Sequence, residues 1–252
     1  MTASQQGKDE PVELGIYKEI AVIDSRKHRN MKLKPLADFS YASSLQNAVI
    51  TDSEFFECAK SQPILFTSHE QEGPMALALL GLKDRQNLFV DATQGHRWRA
   101  NEYVPAFVRR YPFVFVRNAD TLALALDIQS GALDETTGED LFTADGQPTE
   151  FTKRVMRFME EFQTASLRTR AFIQAMEEMS LLEDATLNWE IGGRKNTFTG
   201  FRRVREERMG ELTDADILKL VKSGYYKLIV AHLMSLRNFN KLINLGLMTE
   251  TA

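Results

Sequence analysis

The spacing of apolar residues changes once along this 252-residue chain, and that change restricts the fold more than any other feature. From residue 17 to residue 128, short apolar runs alternate with turn signals, which is typical of a predominantly antiparallel sheet. Beyond Pro148 the apolar residues recur at three- and four-residue steps, which is the period of a helix. We therefore predict an α+β fold with a predominantly antiparallel sheet in its N-terminal half.

The strands of the N-terminal half are predicted from its apolar runs. These runs are IAVI (Ile20–Ile23), PILFT (Pro63–Thr67), MALALLGL (Met75–Leu82), NLFVDA (Asn87–Ala92), FVFV (Phe113–Val116) and TLALALDI (Thr121–Ile128). The connections KDRQ (83–86) and RNAD (117–120) are too short for crossover helices, so they predict hairpins. One short helix is predicted in SEFFECAKS (53–61), where Ser53 is the expected cap.

The C-terminal half is predicted to contain a long helix, a β-hairpin and a helical pair. Apolar residues from Phe151 to Met179 form one stripe, which indicates a helix of about 30 residues. The segment LNWEIGGRKNTFTGFRRV (187–204) reads as two strands around GGRKN. Thr213 and Asp216 have nearly the spacing of a capping box, and Gly224 is expected to separate the two helices that follow.

Composition and turn signals also predict how the chain is divided. Residues 127–150 contain seven acidic residues and no Lys or Arg, together with several Gly and Thr residues. We expect a flexible tail over residues 1–16, a β-rich region over 17–128, an acidic linker over 129–149 and a helical region with the hairpin over 150–245. The helical region is expected to pack on the sheet as one compact domain.

Charge and cysteine content limit the classes of function. The net charge is −4, which argues against a main role in nucleic-acid binding, because that affinity depends on a basic surface. The apolar runs are far shorter than the ~20 residues that a membrane span requires, and the N-terminus lacks a signal-peptide pattern. Cys58 is the single cysteine, which fits a reducing compartment. We expect a cytoplasmic protein, with export to the cell surface without a cleaved signal as the alternative.

The sequence contains no common catalytic or metal-binding motif, so we predict neither a metal nor a cofactor, and a non-enzymatic role is favoured over an enzyme. HExxH, GxSxG, Walker and GxGxxG patterns are all absent. His232 lies in an apolar helical segment, which predicts a core histidine that is hydrogen bonded to the backbone or a neighbour. His69 is flanked by Glu70 and Glu72 and is the better candidate for acid–base chemistry.

The stretch WRANEYVPAFVRRYPFVFV (98–116) concentrates arginine and aromatic residues. Pro105 favours a short helix and Pro112 favours the start of a strand, so the arginines are expected at the junction. Arginines that meet there would bind a carboxylate or phosphate. The leading expectation, for these arginines and for the basic cluster SRKHRNMKLK (25–34), is instead a solvated face or internal pairing, including pairing with the acidic linker. The candidate binding residues are Arg97, Trp98, Arg99, Tyr103, Arg109, Arg110, Tyr111, His28 and His69.

Several longer segments of the chain resemble the bacterial SapC family. They are HRNMKLKPLADFSYASSLQNAVITDSEFF, QPILFT, LLGLKDRQNLFVDA, WRANEYVPAFVRRYPF, GEDLFTADGQPT, TRAFIQAMEEMSLLE and AHLMSLRNFNKL. The similarity runs from about Tyr17 to Leu242, and its most specific parts are VPAFVRRYPF and GEDLFTADG.

The resemblance implies a protein that acts beside other proteins. The family is named after a protein associated with a bacterial surface layer, and many members accompany tryptophan-halogenase-like proteins and cupin-like hydroxylases. We therefore expect a non-enzymatic accessory protein with a halogenase-like or hydroxylase-like partner. A small anionic ligand, which the arginines suggest, and self-association are expected as well. The alternatives are a surface-layer component and an enzyme in which His69 or His28 works beside the arginines on a small anionic substrate. No catalytic residues carry over from the family.

Overall fold

The computed structural model describes residues 15–69, 72–118, 121–191 and 193–250, so the tail predicted for residues 1–16 lies almost wholly outside the described residues. The described strands are β1 (Ile20–Val22), β2 (Lys32–Leu33), β3 (Asn47–Ile50), β4 (Ile64–His69), β5 (Gly73–Leu79), β6 (Val90–Asp91), β7 (Arg97–Trp98), β8 (Phe113–Asn118), β9 (Thr121–Asp127), β10 (Leu133–Asp134), β11 (Glu139–Asp140), β12 (Leu182–Ile191) and β13 (Arg194–Val204). The described helices are α1 (Phe55–Ser61), α2 (Ala106–Arg109), α3 (Glu150–Glu178), α4 (Glu206–Met209), α5 (Asp214–Ser223), α6 (Tyr225–Ser235) and α7 (Asn238–Glu250).

The predicted α+β class is confirmed. Strand pairs in the described residues are antiparallel, and α3 is a single helix of 29 residues, as its apolar stripe predicts. The predicted C-terminal hairpin is β12 with β13, although its turn residue Gly192 lies outside the described residues. The described chain forms two compact units: unit 1 comprises the described residues through Ala37 together with Arg110–Met159, and unit 2 comprises Asp38–Arg109 with the described residues from Glu160 onward.

Unit 1 contains two small antiparallel sheets, with strand orders β1-β9-β8 and β10-β2-β11. The predicted hairpin of β8 and β9 is confirmed by their pairing from Phe113 opposite Leu126 onward, while Ala119 and Asp120 of its turn lie outside the described residues. The first turns of α3 pack on the apolar core around Phe113, Leu126 and Leu141. This core explains why the apolar stripe of α3 begins immediately after its first residue.

The acidic segment 129–149 contributes β10 and β11, which pair on either side of β2. Its carboxylates contact the basic cluster near β2, with Lys32 Nζ 2.6 Å from Asp140 and Lys34 Nζ 3.4 Å from Asp134. These pairs match the proposed pairing of basic residues with the acidic segment. The four-part division of the chain stays a prediction.

Unit 2 contains a five-stranded antiparallel sheet in the order β12-β13-β4-β5-β3. The prediction that KDRQ closes a hairpin is wrong, because β6 pairs with β7 instead of β5. Side chains explain the difference: Gln86 Oε1 accepts from two backbone N–H groups of the turn, and Asn87 donates to the Ala42 carbonyl. Among the described residues, the two predicted strands share one backbone hydrogen bond, which the Leu88 N–H donates to the Leu80 carbonyl.

The core of unit 2 is aromatic, with Phe55 of α1, Phe66 of β4 and Phe172 of α3 in mutual ring contact. The predicted helix after residue 53 is present, but Ser53 is not its cap. Thr51 and Glu54 form a capping box around a short 3-10 turn, because the Glu54 carboxylate accepts from the Thr51 N–H. The box places Glu54 inside the protein.

The predicted helical pair is confirmed as α5 and α6. Thr213 Oγ1 caps α5 by accepting from the Asp216 N–H at 3.2 Å, and Gly224 separates the helices with a φ of +77°, which favours glycine. A third helix, α7, follows after residue 237. His232 of α6 is fully buried, and its Nε2 accepts from the Val204 N–H at 3.0 Å, so the predicted core role is confirmed.

Candidate functional site

The arginine and aromatic stretch folds as predicted into β7, the short helix α2 and the strand β8. Trp98 is buried, and its ring lies 5.6 Å from the ring of Phe39 and 5.8 Å from that of Phe89. Such ring pairs stabilise a core by about 0.5–1.5 kcal/mol beyond simple burial. Trp98 therefore acts as a core residue of unit 2.

The two arginines that flank Trp98 differ in their surroundings. Arg99 donates from Nε to the Leu88 carbonyl at 2.7 Å, and its Nη1 lies 3.1 Å from Asp91. Arg97 is exposed on β7, in register with Asp91 of β6. Internal pairing, which was one of the expected arrangements, therefore describes Arg99.

Tyr103 and Arg109 converge on a buried carboxylate that sequence reasoning did not propose as a site residue. Glu54 Oε1 accepts from the Ala106 N–H at 2.6 Å and from the Tyr103 hydroxyl at 3.1 Å. Glu54 Oε2 accepts from the backbone N–H and the hydroxyl of Thr51, each at 2.9 Å. Arg109 completes the group by donating from Nη2 to the Tyr103 hydroxyl at 3.2 Å. The carboxylate joins the start of α1 to the start of α2.

The electrostatics of this network suit a structural role. Burial, and then the charge of Glu54, raise the pKa of Tyr103 above its ordinary value, so the phenol remains a hydrogen-bond donor. Burial, and then Glu54, also raise the pKa of Cys58, one turn further along α1. A neutral buried thiol is a poor nucleophile. The sequence signal for this network is the capping-box spacing of Thr51 and Glu54.

Unit 1 contains the last two candidate residues of the stretch, Arg110 and Tyr111. Arg110 is 3% exposed, which places its side chain in the interior rather than on a solvated face. Tyr111 is also buried, and its hydroxyl donates to Asp127 Oδ2 at 2.9 Å. Asp127 accepts further bonds from the backbone N–H groups of Lys18 and Glu19. This carboxylate thus anchors the chain that leads into β1.

The two histidine candidates belong to different units. His28 in unit 1 is half-buried, and its Nδ1 accepts from the Asp24 N–H at 3.0 Å. His69 in unit 2 is the last residue of β4, opposite Gly73 of β5. Within the residues that the structure describes, no three His, Cys, Asp or Glu side chains are grouped as metal ligands.

A different part of unit 2 exposes apolar side chains. Helix α5 buries Leu220 alone, while Ile217, Leu218 and Val221 are exposed. Most helices of this length bury an entire stripe against the core. Apart from Leu220, the large apolar side chains of α5 therefore face solvent in unit 2.

Helix α6, which contacts α5, is apolar on both sides. Its inner side buries Leu228 and Ile229, whereas Tyr226, Val230 and Met234 are exposed at four-residue steps. Positions four residues apart lie on one side of a helix, so these three side chains form an exposed stripe.

The charged side chains of residues 217–234 have one sign. Residues 217–234 contain no Asp or Glu, and Lys219 and Lys222 of α5 are exposed. In the described part of the chain neither lysine is ion paired. We call the following residues the α5–α6 surface: Leu218, Lys219, Val221, Lys222, Tyr226, Val230 and Met234.

Comparison with known families identifies the chain. The family model described as SapC matches residues 23–242. The chain belongs to the SapC family. The SapC match includes the stretch 98–116 and the α5–α6 surface. No curated protein and no solved structure gave a match. None of the helices in the described ranges is long and apolar enough to cross a membrane.

Proposed function

We propose that this SapC-family chain is a non-catalytic accessory protein that binds a protein partner through the α5–α6 surface. The observation that carries the proposal is the exposed stripe of Tyr226, Val230 and Met234, beside a helix that buries one residue. Burial of an aliphatic side chain contributes about 1.5–3 kcal/mol. A partner that covers this surface would gain that contribution several times.

The charges of the surface define the partner's chemistry. Lys219 and Lys222 flank the apolar residues without acidic neighbours in residues 217–234. A complementary partner is an amphipathic helix with apolar residues on one side and acidic residues at its edges. Such a helix would pair its charges with the lysines and bury its apolar side against the stripe.

The family resemblance suggests which proteins carry that helix. We propose a halogenase-like or cupin-like enzyme as the partner, with the interaction in the cytoplasm, which the single cysteine favours. Association with a surface layer and self-association are the competing outcomes, and the same surface would then contact a second copy of the chain.

The test measures binding of the purified chain to a purified halogenase-like enzyme from the same host. Met234→Asp places an unpaired charge in the stripe and should weaken binding at least about thirtyfold, the size of a hot-spot loss. Met248→Asp on α7 is a matched control, because Met234 and Met248 are 64% and 62% exposed. The control should bind like the wild type.

Equal binding by the wild type and Met234→Asp would overturn the proposal that this surface binds the enzyme. Sheet-like assembly that Met234→Asp abolishes would favour the surface-layer alternative. Native mass spectrometry of the chain purified from its own host distinguishes the two, because it reports the mass of any co-purified protein and the number of copies together.

A further inference from the structure

A second feature of unit 2 is a groove of about 560 Å³ between the starts of α1 and α6 and the middle of α3. Its volume is in the range of small-molecule sites. The residues that shape its chemistry are Asp52, Phe56, Arg168, Tyr225, Lys227 and Leu228. The α5–α6 surface, as defined above, shares none of these residues.

One wall of the groove is held rigidly. Arg168 donates from Nε and Nη2 to the two carboxylate oxygens of Asp52, at 2.8 and 2.9 Å. The backbone N–H of Asp52 donates to Thr169 Oγ1 at 2.7 Å, which ties the same two elements together again. This bidentate pair leaves Nη1 of Arg168 without a partner in the described residues. A fixed guanidinium with spare donors is suited to a carboxylate.

Lys227 supplies an unbalanced positive charge. Its ammonium has no carboxylate within ion-pair distance among the residues described. The charges that face the groove are therefore one negative charge, from Asp52, and two positive charges, from Arg168 and Lys227. The groove has a net charge of one positive unit and suits a monoanion.

The rest of the lining is apolar and partly aromatic. Phe56 of α1 is 48% exposed, although the preceding Phe55 is fully buried in the core. Leu228, Ala171 and the ring of Tyr225 complete this side of the groove. The exposed ring of Phe56 lines the same groove as the cations Arg168 and Lys227, so one ligand can make both an apolar contact and a charge contact.

We infer that this groove binds a small monoanion with an apolar body, such as an arylalkyl carboxylate. The carboxylate contacts Lys227 and Nη1 of Arg168, and the apolar body contacts Phe56. This ligand site goes beyond the proposed partner binding and does not depend on it.

The experiment titrates the chain with 3-phenylpropionate and follows backbone amide shifts by NMR. Saturable binding with a Kd of about 1 mM is expected for a ligand of this size. The shifts should centre on Ser53, Phe56 and Tyr225. The neutral analogue 3-phenylpropanamide has the same shape and should bind at least tenfold more weakly.

Two variants distinguish the groove from general surface charge. Lys227→Gln should weaken 3-phenylpropionate binding at least fivefold, whereas Lys222→Gln on α5 removes a comparable charge outside the groove and should change it less than twofold. Phe56→Ala should weaken binding at least threefold. Absence of saturation, equal affinity for the amide, or equal losses in the two lysine variants would each overturn the inference.

The two proposals fail independently. Met234→Asp should bind 3-phenylpropionate like the wild type, and Lys227→Gln should bind the partner enzyme within about threefold of the wild type. Failure of the enzyme-binding test with normal 3-phenylpropionate binding would overturn the proposed function alone. The reverse result would overturn the ligand site alone.

Discussion

The stretch 98–116 and the α5–α6 surface place their side chains in opposite environments. The first is rich in arginine and tyrosine, yet Trp98, Arg110 and Tyr111 are buried and Arg99 is paired. The second is rich in Leu, Val and Met, yet its apolar side chains are exposed. Residue type alone would place the arginines and tyrosines of the first region on the surface and the apolar residues of the second region in the core.

This difference in exposure indicates which of the two regions is the better candidate for binding. Arginine and tyrosine have long apolar stems and several donors, so a protein can bury them when carboxylates and carbonyls lie nearby. Glu54 and Asp127 are those carboxylates here. Exposed apolar groups on a helix have no equivalent way to be satisfied within the chain, and this makes the α5–α6 surface the stronger candidate for a binding role.

The largest effect is expected from Trp98→Ala. Removal of a buried indole between Phe39 and Phe89 should lower the free energy of unfolding by about 3–5 kcal/mol. Chemical denaturation of the variant measures this loss. Trp189→Ala on β12 is the matched control, because Trp189 is only partly buried, and it should lose less. If Trp98→Ala were as stable as the wild type, Trp98 would not be a core residue and would again be a candidate for binding.

The adjacent residues Arg109 and Arg110 test the effect of burial within the stretch, because Arg109 is exposed and Arg110 is buried. Arg110→Ala should lower the free energy of unfolding by about 2–4 kcal/mol, because it empties interior space that the long side chain fills. Arg109→Ala should cost less than about 1 kcal/mol, since Arg109 is exposed. Thermal denaturation of the two variants provides the measurement. Equal losses would contradict the contrast in burial between these two residues.

The smallest effect, taken over the first pH unit below 6.5, comes from His232 on the buried side of α6. Burial lowers the pKa of His232 to about 3, whereas a histidine in the unfolded chain has a pKa of about 6.5. Between these values the unfolded state binds a proton that the folded state does not, so stability falls as the pH falls through this window. The expected loss is about 1 kcal/mol between pH 6.5 and 5.5, and it approaches about 1.4 kcal/mol per unit at lower pH until the pKa of the folded state is reached.

Denaturation of wild type and His232→Gln at several pH values measures that contribution. The glutamine can accept from the Val204 N–H but does not titrate, so the variant should lose the part of the slope between pH 6.5 and 3 that His232 causes. Met234→Asp, on the exposed side of α6, should retain this slope. An unchanged slope in His232→Gln would show that the histidine does not control acid stability.

Local patterns along the sequence predicted elements whose sequence signals lie within the same element. The apolar stripe of α3, the Thr213 cap and the division at Gly224 are of this kind, because each depends on residues a few positions apart. The strands β2 and β3 were missed because their apolar content is too short for an alternating pattern, and their pairing partners lie far along the chain. The failed KDRQ hairpin has a similar cause, since the contacts of Asn87 reach back to Ala42.

Sequence patterns were enough to predict the α+β class, the long helix, the C-terminal hairpin, the core role of His232 and membership of the SapC family. The candidate residues that are available to a ligand or partner could be identified only from the folded chain. The physical reason is that availability depends on partners distant in sequence: Glu54 meets Ala106 across 52 residues, and Asp52 meets Arg168 across 116. Spacing within a segment carries no information about such long-range contacts. The burial of Arg110, the exposed stripe of α6 and the cationic groove could therefore be recognised only in the folded structure.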